Sequence, residues 1–200
     1  MLRRLAIAGA LALATASVCA IAAPLTYELD PGHTQVVFRW SHFGFSHPSG
    51  QFGTVNGTLQ FDPEAPTEAT LSVTIPIASI NTNVPELDAH LQKADFFDVA
   101  RFPVATFKST RVEQGAAKDR LKVTGDLSLH GVTRPLVLDV TINKIGKRPS
   151  RDAQVAGFDA TTVIKRSDFG IQQYVPMISD DIDVRITTEA VARPATRKEG

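Results

Sequence analysis

Histidine, serine and acidic side chains are the groups of this chain that could carry acid–base, nucleophilic or metal chemistry. Five histidines are spread along the sequence without an H-E-x-x-H pair or paired cysteines, so their spacing does not predict a metal site. Ser167 stands beside Asp168, but no G-x-S-x-G turn and no located base accompany the pair. The sequence therefore gives little support to catalysis.

Two histidines are candidates for contact with a ligand. His42 shares strand parity with Phe38 and Trp40. It is either a polar group in a pocket or a neutral histidine satisfied by one backbone or carboxylate partner. His90 follows Asp88 in a segment rich in phenylalanine.

Arg166 is the third polar candidate. It opens the sequence Arg166-Ser167-Asp168-Phe169-Gly170, directly after an apolar run that ends at Ile164. Arg166 either pairs with Asp88 or Asp168 and pins the mouth of a barrel, or it meets an anionic headgroup, because guanidinium matches phosphate geometry.

The elements that must position these groups have the pattern of β-strands. Apolar residues alternate with polar ones from Thr34 onward, and the period of two returns in later runs. The runs lie near residue 27 and over residues 34–43, 52–61, 71–77, 104–112, 121–129, 136–142, 156–164 and 182–190. Helix is favoured only over Pro85–Ala94. An antiparallel set of about eight or nine strands closes as a barrel or stacks as a sandwich.

Small residues stand on the interior faces of these strands. Gly57, Gly125 and Ala105 lie beside large aromatic residues and would leave space inside a barrel, although glycine in a strand also marks a bulge or a bend. Between two strand runs, residues 88–107 hold four phenylalanines that the rest of the protein or a ligand must cover.

The N-terminus has the pattern of a cleaved secretory signal. Arg3 and Arg4 precede an uncharged apolar run, and Ala20-Ile21-Ala22 fits a cleavage site. We expect a signal peptide over residues 1–22, one domain over residues 23–193 and a flexible tail over residues 194–200. The sole cysteine, Cys19, lies in the signal segment, so the mature domain is expected to form no disulfide. Its near-neutral charge argues against nucleic-acid binding.

Short motifs occur in the order that is typical of one family. They are Leu29-Asp30-Pro31-Gly32-His33, Gly50-x-Phe52, Phe61-Asp62-Pro63, Asp88-x-His90-Leu91, Asp95-Phe96-Phe97-Asp98, Phe102-Pro103, Gly131-Val132-Thr133 and Arg166-Ser167-Asp168-Phe169-Gly170. From about Tyr27 to Ala190 the chain thereby resembles the YceI family of lipid- or polyisoprenoid-binding proteins of the bacterial periplasm. The resemblance implies an all-β, antiparallel, eight-stranded, lipocalin-like barrel with a short helical segment near residues 85–98. It also implies a long amphiphile in the cavity, no enzyme activity and, in some members, a dimer.

The expected function is that of a periplasmic carrier for an isoprenoid, such as a quinone or polyprenyl lipid, or for another long-chain lipid, without a cofactor. The alternatives are an exported hydrolase or lipid-modifying enzyme, and a packed structural or stress-response barrel without a ligand. The residues expected to contact the ligand are Phe38, Trp40, His42, Phe52, His90, Phe107, Phe158, Arg166 and Phe169. A homodimer is one expected assembly, whereas stable membrane insertion is not expected.

Overall fold

The computed structural model describes residues 24–149 and 153–193 of the 200-residue chain. The predicted signal peptide and the predicted C-terminal tail lie outside the described residues. The described chain forms one α-helix, α1, over Pro85–Leu91. Its strands are β1 (Leu25–Leu29), β2 (Gln35–Arg39), β3 (Ser49–Phe52), β4 (Asn56–Phe61), β5 (Thr70–Pro76), β6 (Ile80–Asn81), β7 (Val104–Gln114), β8 (Arg120–Leu129), β9 (Val132–Lys147), β10 (Gln154–Lys165) and β11 (Asp181–Ala192).

The strands form one antiparallel sheet that closes on itself. Around the ring the order is β1, β4, β5, β7, β8, β9, β10 and β11, and β11 pairs with β1 to complete it. β11 also pairs with β2 over Asp183–Thr187, which are the residues on the far side of its contact with β1. A kink therefore divides three of the eight barrel strands. β2, β3 and β6 are the parts of those three strands that lie beyond the kink. The predicted eight-stranded antiparallel barrel with a short helix is confirmed.

The kink between β1 and β2 follows from its sequence. Pro31 and Gly32 favour a turn, and the residues from Pro31 to His33 form one turn of 3-10 helix. The Gly32 amide donates to Asp30 Oδ1 at 3.0 Å, and Thr34 Oγ1 donates to the Asp30 carbonyl at 2.8 Å. His33 Nδ1 lies 3.0 Å from Asp30 Oδ2. These bonds bend the strand path without breaking the ring.

One end of the barrel is sealed by aromatic rings packed between small residues. Tyr27, Ala156 and Ala190 are fully buried there, and Phe61 is 1% exposed. The Tyr27 and Phe61 rings meet edge to face at 6.1 Å between centroids, and Phe61 meets Phe158 in the same way at 5.5 Å. Such edge-to-face contacts are favourable for aromatic pairs. This end is therefore filled by side chains.

A cap formed by α1 and residues 92–103 lies across the opposite end. Asp88 Oδ1 ties α1 to the end of β6, because it accepts from both the amide and the hydroxyl of Thr82 at 2.7 Å. The helix ends earlier than the predicted Ala94. The Lys93 carbonyl accepts from the amides of Phe96 and Asp98, which replaces the helical pattern with tight turns. Among the described residues, no helix has the length and apolar character needed to cross a membrane.

The interior glycines do not leave open space. An added Cβ at Gly57 would lie 2.7 Å from Leu29 Cδ1, and one at Gly125 would lie 2.4 Å from Phe107 Cζ. Cross-strand side chains thus lie directly over both glycines. The bulge interpretation holds in part, since the β7–β8 register shifts beside Gly125, between Ser109 and Arg111.

Candidate functional site

The interior of the barrel is a cavity of about 630 Å³. The inward residues of every strand path line it, and the cap adds Leu87, Leu91, Phe96 and Phe97. Most of the wall is aliphatic, as strand alternation requires for an enclosed face. This volume lies within the range of small-molecule pockets.

The cavity reaches the surface at the capped end. His42, Ser46 and Tyr174 line the cavity and are also exposed to solvent. They belong to two loops, residues 40–48 and residues 170–179, which lie beside the cap. The cavity thus has a sealed end and an open end, and a long ligand would enter tail first.

A row of aromatic side chains connects the wall to the cap. Phe38 stacks on Trp40 with ring centroids 5.8 Å apart and meets Phe52 at 5.4 Å. Phe52 in turn meets Phe97 of the cap edge to face at 6.2 Å. Of the residues predicted from the sequence, Phe38, Trp40 and Phe52 therefore lie together at the open half of the cavity.

The other predicted aromatic residues occupy different places. Phe107 lines the middle of the wall over Gly125, and Phe158 lines the sealed end against Phe61. Phe169 lies elsewhere. It is 3% exposed and packs in a core cluster with Phe107 and Leu127, while its carbonyl oxygen lies 2.8 Å from His130 Nδ1.

The two predicted histidines lie at the open half of the cavity. The His42 ring is exposed and touches Phe43 edge to face at 4.8 Å. His90 is half-buried on α1 and meets the Phe96 ring at 4.8 Å. Both imidazoles line the cavity, next to its mouth.

Arg166 is the buried charge of the cavity wall, with 7% of the residue exposed. Its guanidinium donates to the carbonyls of Ser179 at 2.9 Å, Ile178 at 3.0 Å and Ile171 at 3.2 Å. Burial lowers the pKa of Arg166, and the nearby Asp180 carboxylate acts in the opposite direction. Since a guanidinium has five N–H donors, three bonds to carbonyls leave two donors for another acceptor.

The interpretation in which Arg166 pairs with Asp88 or Asp168 is wrong. Among the described residues, no carboxylate forms an ion pair with Arg166, and Asp88 instead binds Thr82. The loop over residues 170–179 supplies backbone carbonyls to Arg166 in place of a carboxylate. The neighbouring Asp180 is held by Ser167, whose amide and hydroxyl donate to it at 2.8 and 2.7 Å. Burial alone would raise the pKa of Asp180, but the bonds from Ser167 together with the charges of Lys165 and Arg166 outweigh it, and the pKa is lowered.

Among the described residues, the acid–base candidates named from the sequence are divided between the cavity and other parts of the barrel. His42 and His90 line the cavity, whereas Asp88 is bound to Thr82 and Asp168 is exposed in the turn after β10. Across residues 24–149 and 153–193, no three His, Cys, Asp or Glu side chains are grouped as a metal site would require.

Several lining residues were not predicted from the sequence. Tyr174, Ile171 and Ile178 reach the cavity from the loop after β10. The signal that could have found them is composition, since residues 170–179 contain no charged side chain although the stretch connects two strands.

Comparison with known proteins agrees with this geometry. The YceI-like domain family matches residues 27–190. A UPF0312 protein from Pseudomonas syringae pv. tomato is 40% identical over 187 residues, which cover 92% of this chain and 96% of the relative. The crystal structure of the Campylobacter jejuni YCEI protein superposes with a TM-score of 0.69 at 34% identity, covering 77% of this chain and 90% of that one. A polyisoprenoid binding domain from Saccharophagus degradans shares the fold, with a TM-score of 0.62, 20% identity and coverage of 84% and 99% of the two chains. This chain therefore belongs to the YceI-like family.

Proposed function

We propose that this protein is a periplasmic binding or carrier protein that holds an isoprenoid, such as a quinone or polyprenyl lipid, or another long-chain amphiphile inside its barrel. The observation that carries the proposal is the apolar cavity of about 630 Å³, sealed at one end and open at the other beside Arg166 and two histidines. The binding property named for the Saccharophagus degradans domain supports the same class of ligand.

The cavity volume sets the length of the buried tail. If each non-hydrogen atom takes about 30 Å³, as a water molecule does in the liquid, the cavity of about 630 Å³ accepts roughly 20 carbons, or about four isoprene units. At about 0.8 kcal/mol per buried CH₂, such a tail gains about 16 kcal/mol. Association costs about 4–15 kcal/mol, so chains much shorter than this are expected to bind weakly.

The polar residues give the bound molecule a direction. The tail lies toward Phe158 at the sealed end, and the headgroup lies toward Arg166, His42 and His90. The two unused donors of Arg166 suit a phosphate, carboxylate or quinone oxygen. Phe38, Trp40, Phe52 and Phe107 form the aromatic wall, and Phe169 acts behind that wall by packing.

Binding without chemistry is proposed because the described residues that would surround the tail are mainly apolar. The wall beside the tail is aliphatic and aromatic, and the two imidazoles at the mouth have no bound carboxylate among the described residues to orient them as a catalytic base. A packed, ligand-free barrel is disfavoured because the interior is not filled. The periplasmic location rests on the signal pattern of residues 1–22 and is tested by N-terminal sequencing of the mature protein, with Ala23 expected first.

The binding proposal is tested by native mass spectrometry of protein purified from its own host. A hydrophobic adduct is expected, and delipidated protein should take up a quinone, a polyprenyl phosphate or a fatty amide. Ala160→Phe places a ring in the cavity, whereas the adjacent Thr161→Phe places the same ring on the outer face. Uptake should fall at least tenfold in the first variant and stay within twofold in the second. If delipidated wild-type protein binds none of these lipids, the proposal is wrong.

A further inference from the structure

Two loops form the outer rim of the cavity mouth and differ in composition from the rest of the chain. We call residues 40–48 and residues 170–179 the rim loops. Charged side chains make up 21% of the whole chain, yet the rim loops contain no Asp, Glu, Lys or Arg. A connection that only joins strands at a protein surface is usually polar, so this composition calls for another explanation.

The rim loops expose large apolar side chains to solvent. Phe45 is 92% exposed, Met177 54%, Phe43 51% and Tyr174 47%. Isolated exposed apolar residues are common and need no explanation. These four differ because they belong to two loops that lie side by side at one end of the barrel.

Backbone hydrogen bonds tie the rim loops together. The Phe43 amide donates to the Met177 carbonyl at 2.9 Å, and the Ser179 amide donates to the Ser41 carbonyl at 3.0 Å. The Ser41 amide in turn donates to Ser179 Oγ at 2.9 Å. The exposed rings are therefore presented by a fixed pair of loops.

The backbone at Phe43 has a conformation that phenylalanine rarely adopts. Phe43 and Gly44 have φ values of 52° and 76°, and the Phe45 amide donates to the His42 carbonyl at 3.0 Å, which describes a tight turn with two left-handed residues. Such a turn favours Asn, Asp or Gly at both central positions. Tyr174, at a φ of 63°, is left-handed as well. Turn formation therefore does not explain the phenylalanine at position 43.

We propose that the rim loops dock the barrel onto a lipid bilayer, with Phe43, Phe45 and Met177 entering the boundary between headgroups and acyl chains. The inference rests on the proposed function, because an amphiphile of the expected length resides in a membrane and must pass this mouth. Aromatic rings without formal charge suit the bilayer interface. A second copy of the chain seated here would obstruct the route of the lipid.

The absence of Lys and Arg from the rim loops predicts which lipid composition supports docking. Attraction to anionic lipids depends on basic residues, so docking here should need no anionic lipid and should respond weakly to salt. Zwitterionic phosphatidylcholine vesicles are the appropriate probe. Vesicle flotation is the readout for docking, because Trp40, the sole tryptophan, lines the cavity and would also respond to an acyl chain taken up inside the barrel.

The experiment compares vesicle flotation of the wild type, Phe45→Ser, and the triple variant Phe43→Ser/Phe45→Ser/Met177→Ser. The matched control is Val137→Ser/Val163→Ser, which removes exposed apolar groups from the outer barrel wall, where they are 44% and 55% exposed. The vesicle partition coefficient should fall at least tenfold in the triple variant, by an intermediate factor in Phe45→Ser, and by less than twofold in the control. Because Phe45 is almost fully exposed, the single variant tests docking without disturbing the fold.

Lipid uptake from detergent solution separates docking from binding. The triple variant should bind an isoprenoid supplied in detergent within twofold of the wild type, while its extraction of the same lipid from vesicles falls at least tenfold. If the wild type takes up no isoprenoid from detergent, the proposed function is refuted rather than the docking surface. Docking is overturned if wild-type protein does not float with vesicles, or if the triple variant floats equally well. It is also overturned if light scattering finds a wild-type dimer that the triple variant converts to a monomer.

Discussion

Replacing Arg166 by methionine tests the proposed orientation of the ligand most directly. Methionine keeps a long apolar side chain but removes the charge and the three bonds to the carbonyls of residues 171, 178 and 179. The proposed headgroup also loses its two remaining donors. One substitution should therefore affect both the stability of the barrel mouth and the affinity for the ligand.

The two effects have different magnitudes. Each hydrogen bond from a charged donor contributes about 1.5–3 kcal/mol, so three lost bonds amount to about 4.5–9 kcal/mol before compensation. Burial of the charged guanidinium has a cost, which also lowers the pKa of Arg166. Removing the charge removes this cost, and this offsets part of the loss. We expect a net destabilisation of about 3 kcal/mol. Loss of one charge-assisted contact to a headgroup should weaken its binding by about 1.5–3 kcal/mol, or roughly tenfold to a hundredfold.

The assay separates these effects through two ligands of equal tail length. Geranylgeranyl phosphate carries an anionic headgroup on a tail of about the predicted size, and phytane is a hydrocarbon of the same carbon number without a headgroup. Binding is followed by the fluorescence of Trp40, which lines the cavity. Arg166→Met should lose at least tenfold in affinity for the phosphate and less than twofold for the hydrocarbon. Arg166→Lys should lie between, because lysine keeps the charge without the planar set of donors.

Two results would refute this reasoning. An equal loss of affinity for both ligands would mean that Arg166 only holds loop 171–179 in place. Unchanged affinity for both would mean that its free donors do not face the headgroup. Near-UV circular dichroism and urea unfolding of each variant establish that the measurements are made on folded protein.

Three further predictions concern the barrel itself. Gly125→Ala should destabilise the protein by about 2 kcal/mol in urea unfolding, because the new Cβ would lie 2.4 Å from the Phe107 ring and 2.5 Å from a backbone oxygen. Gly146→Ala is the control and should change the stability by less than about 0.5 kcal/mol, since no atom of the described residues would lie within 4 Å of its new Cβ. Tyr27→Phe should stabilise the fold by about 1 kcal/mol, since the buried Tyr27 hydroxyl has no hydrogen-bond partner among the described residues. Burial raises the pKa of Tyr27 above 10.0, so wild-type stability should decline as the pH rises past that value, and this decline should be smaller in the variant; destabilisation at pH 7 would contradict the account. For Asp30, desolvation raises the pKa, but the bonds from the Gly32 amide, His33 and Arg148 together outweigh it, so the pKa is lowered. Stability that is present above pH 3.8 should be lost as the pH falls through the lower folded value, and Asp30→Asn should flatten acid unfolding curves in that range.

The strand walls could be predicted from the sequence because their signal is local. Alternation alone assigned Val36, Phe38 and Trp40 to one face, and that face lines the cavity. Alternation no longer predicts which way a side chain points once the chain leaves strand geometry. Phe169 lies in a turn of 3-10 helix after β10. Strand alternation therefore gave no basis for predicting that it lines the cavity with the other aromatic residues.

The rim could not be predicted because its contacts are distant in the chain. The run from Thr34 was expected to continue as a strand through Phe43, but β2 ends at Arg39 and the chain turns back at Phe43 and Gly44. What holds this turn is the carbonyl of Met177, more than a hundred residues away. The acceptors of Arg166 are likewise backbone carbonyls, which have no signature in the sequence.

The distribution of large side chains explains why this barrel encloses a cavity. Eight strands make an interior that side chains can fill completely. Here the rings gather at the two ends, Tyr27, Phe61 and Phe158 at one and Phe52 and Phe97 at the other, while smaller aliphatic residues predominate along the wall between them. At about 24 cal/mol per Å³, leaving a cavity of about 630 Å³ without a tail costs at most roughly 15 kcal/mol, an upper bound for a closed void that the open mouth reduces by admitting water. On the proposed function, the lipid removes this cost, so the bound tail acts as part of the hydrophobic core as well as cargo. Release into water would restore the cost, whereas release at a membrane allows one lipid to replace another, which is a physical reason for the cavity mouth and the apolar rim loops to lie at the same end.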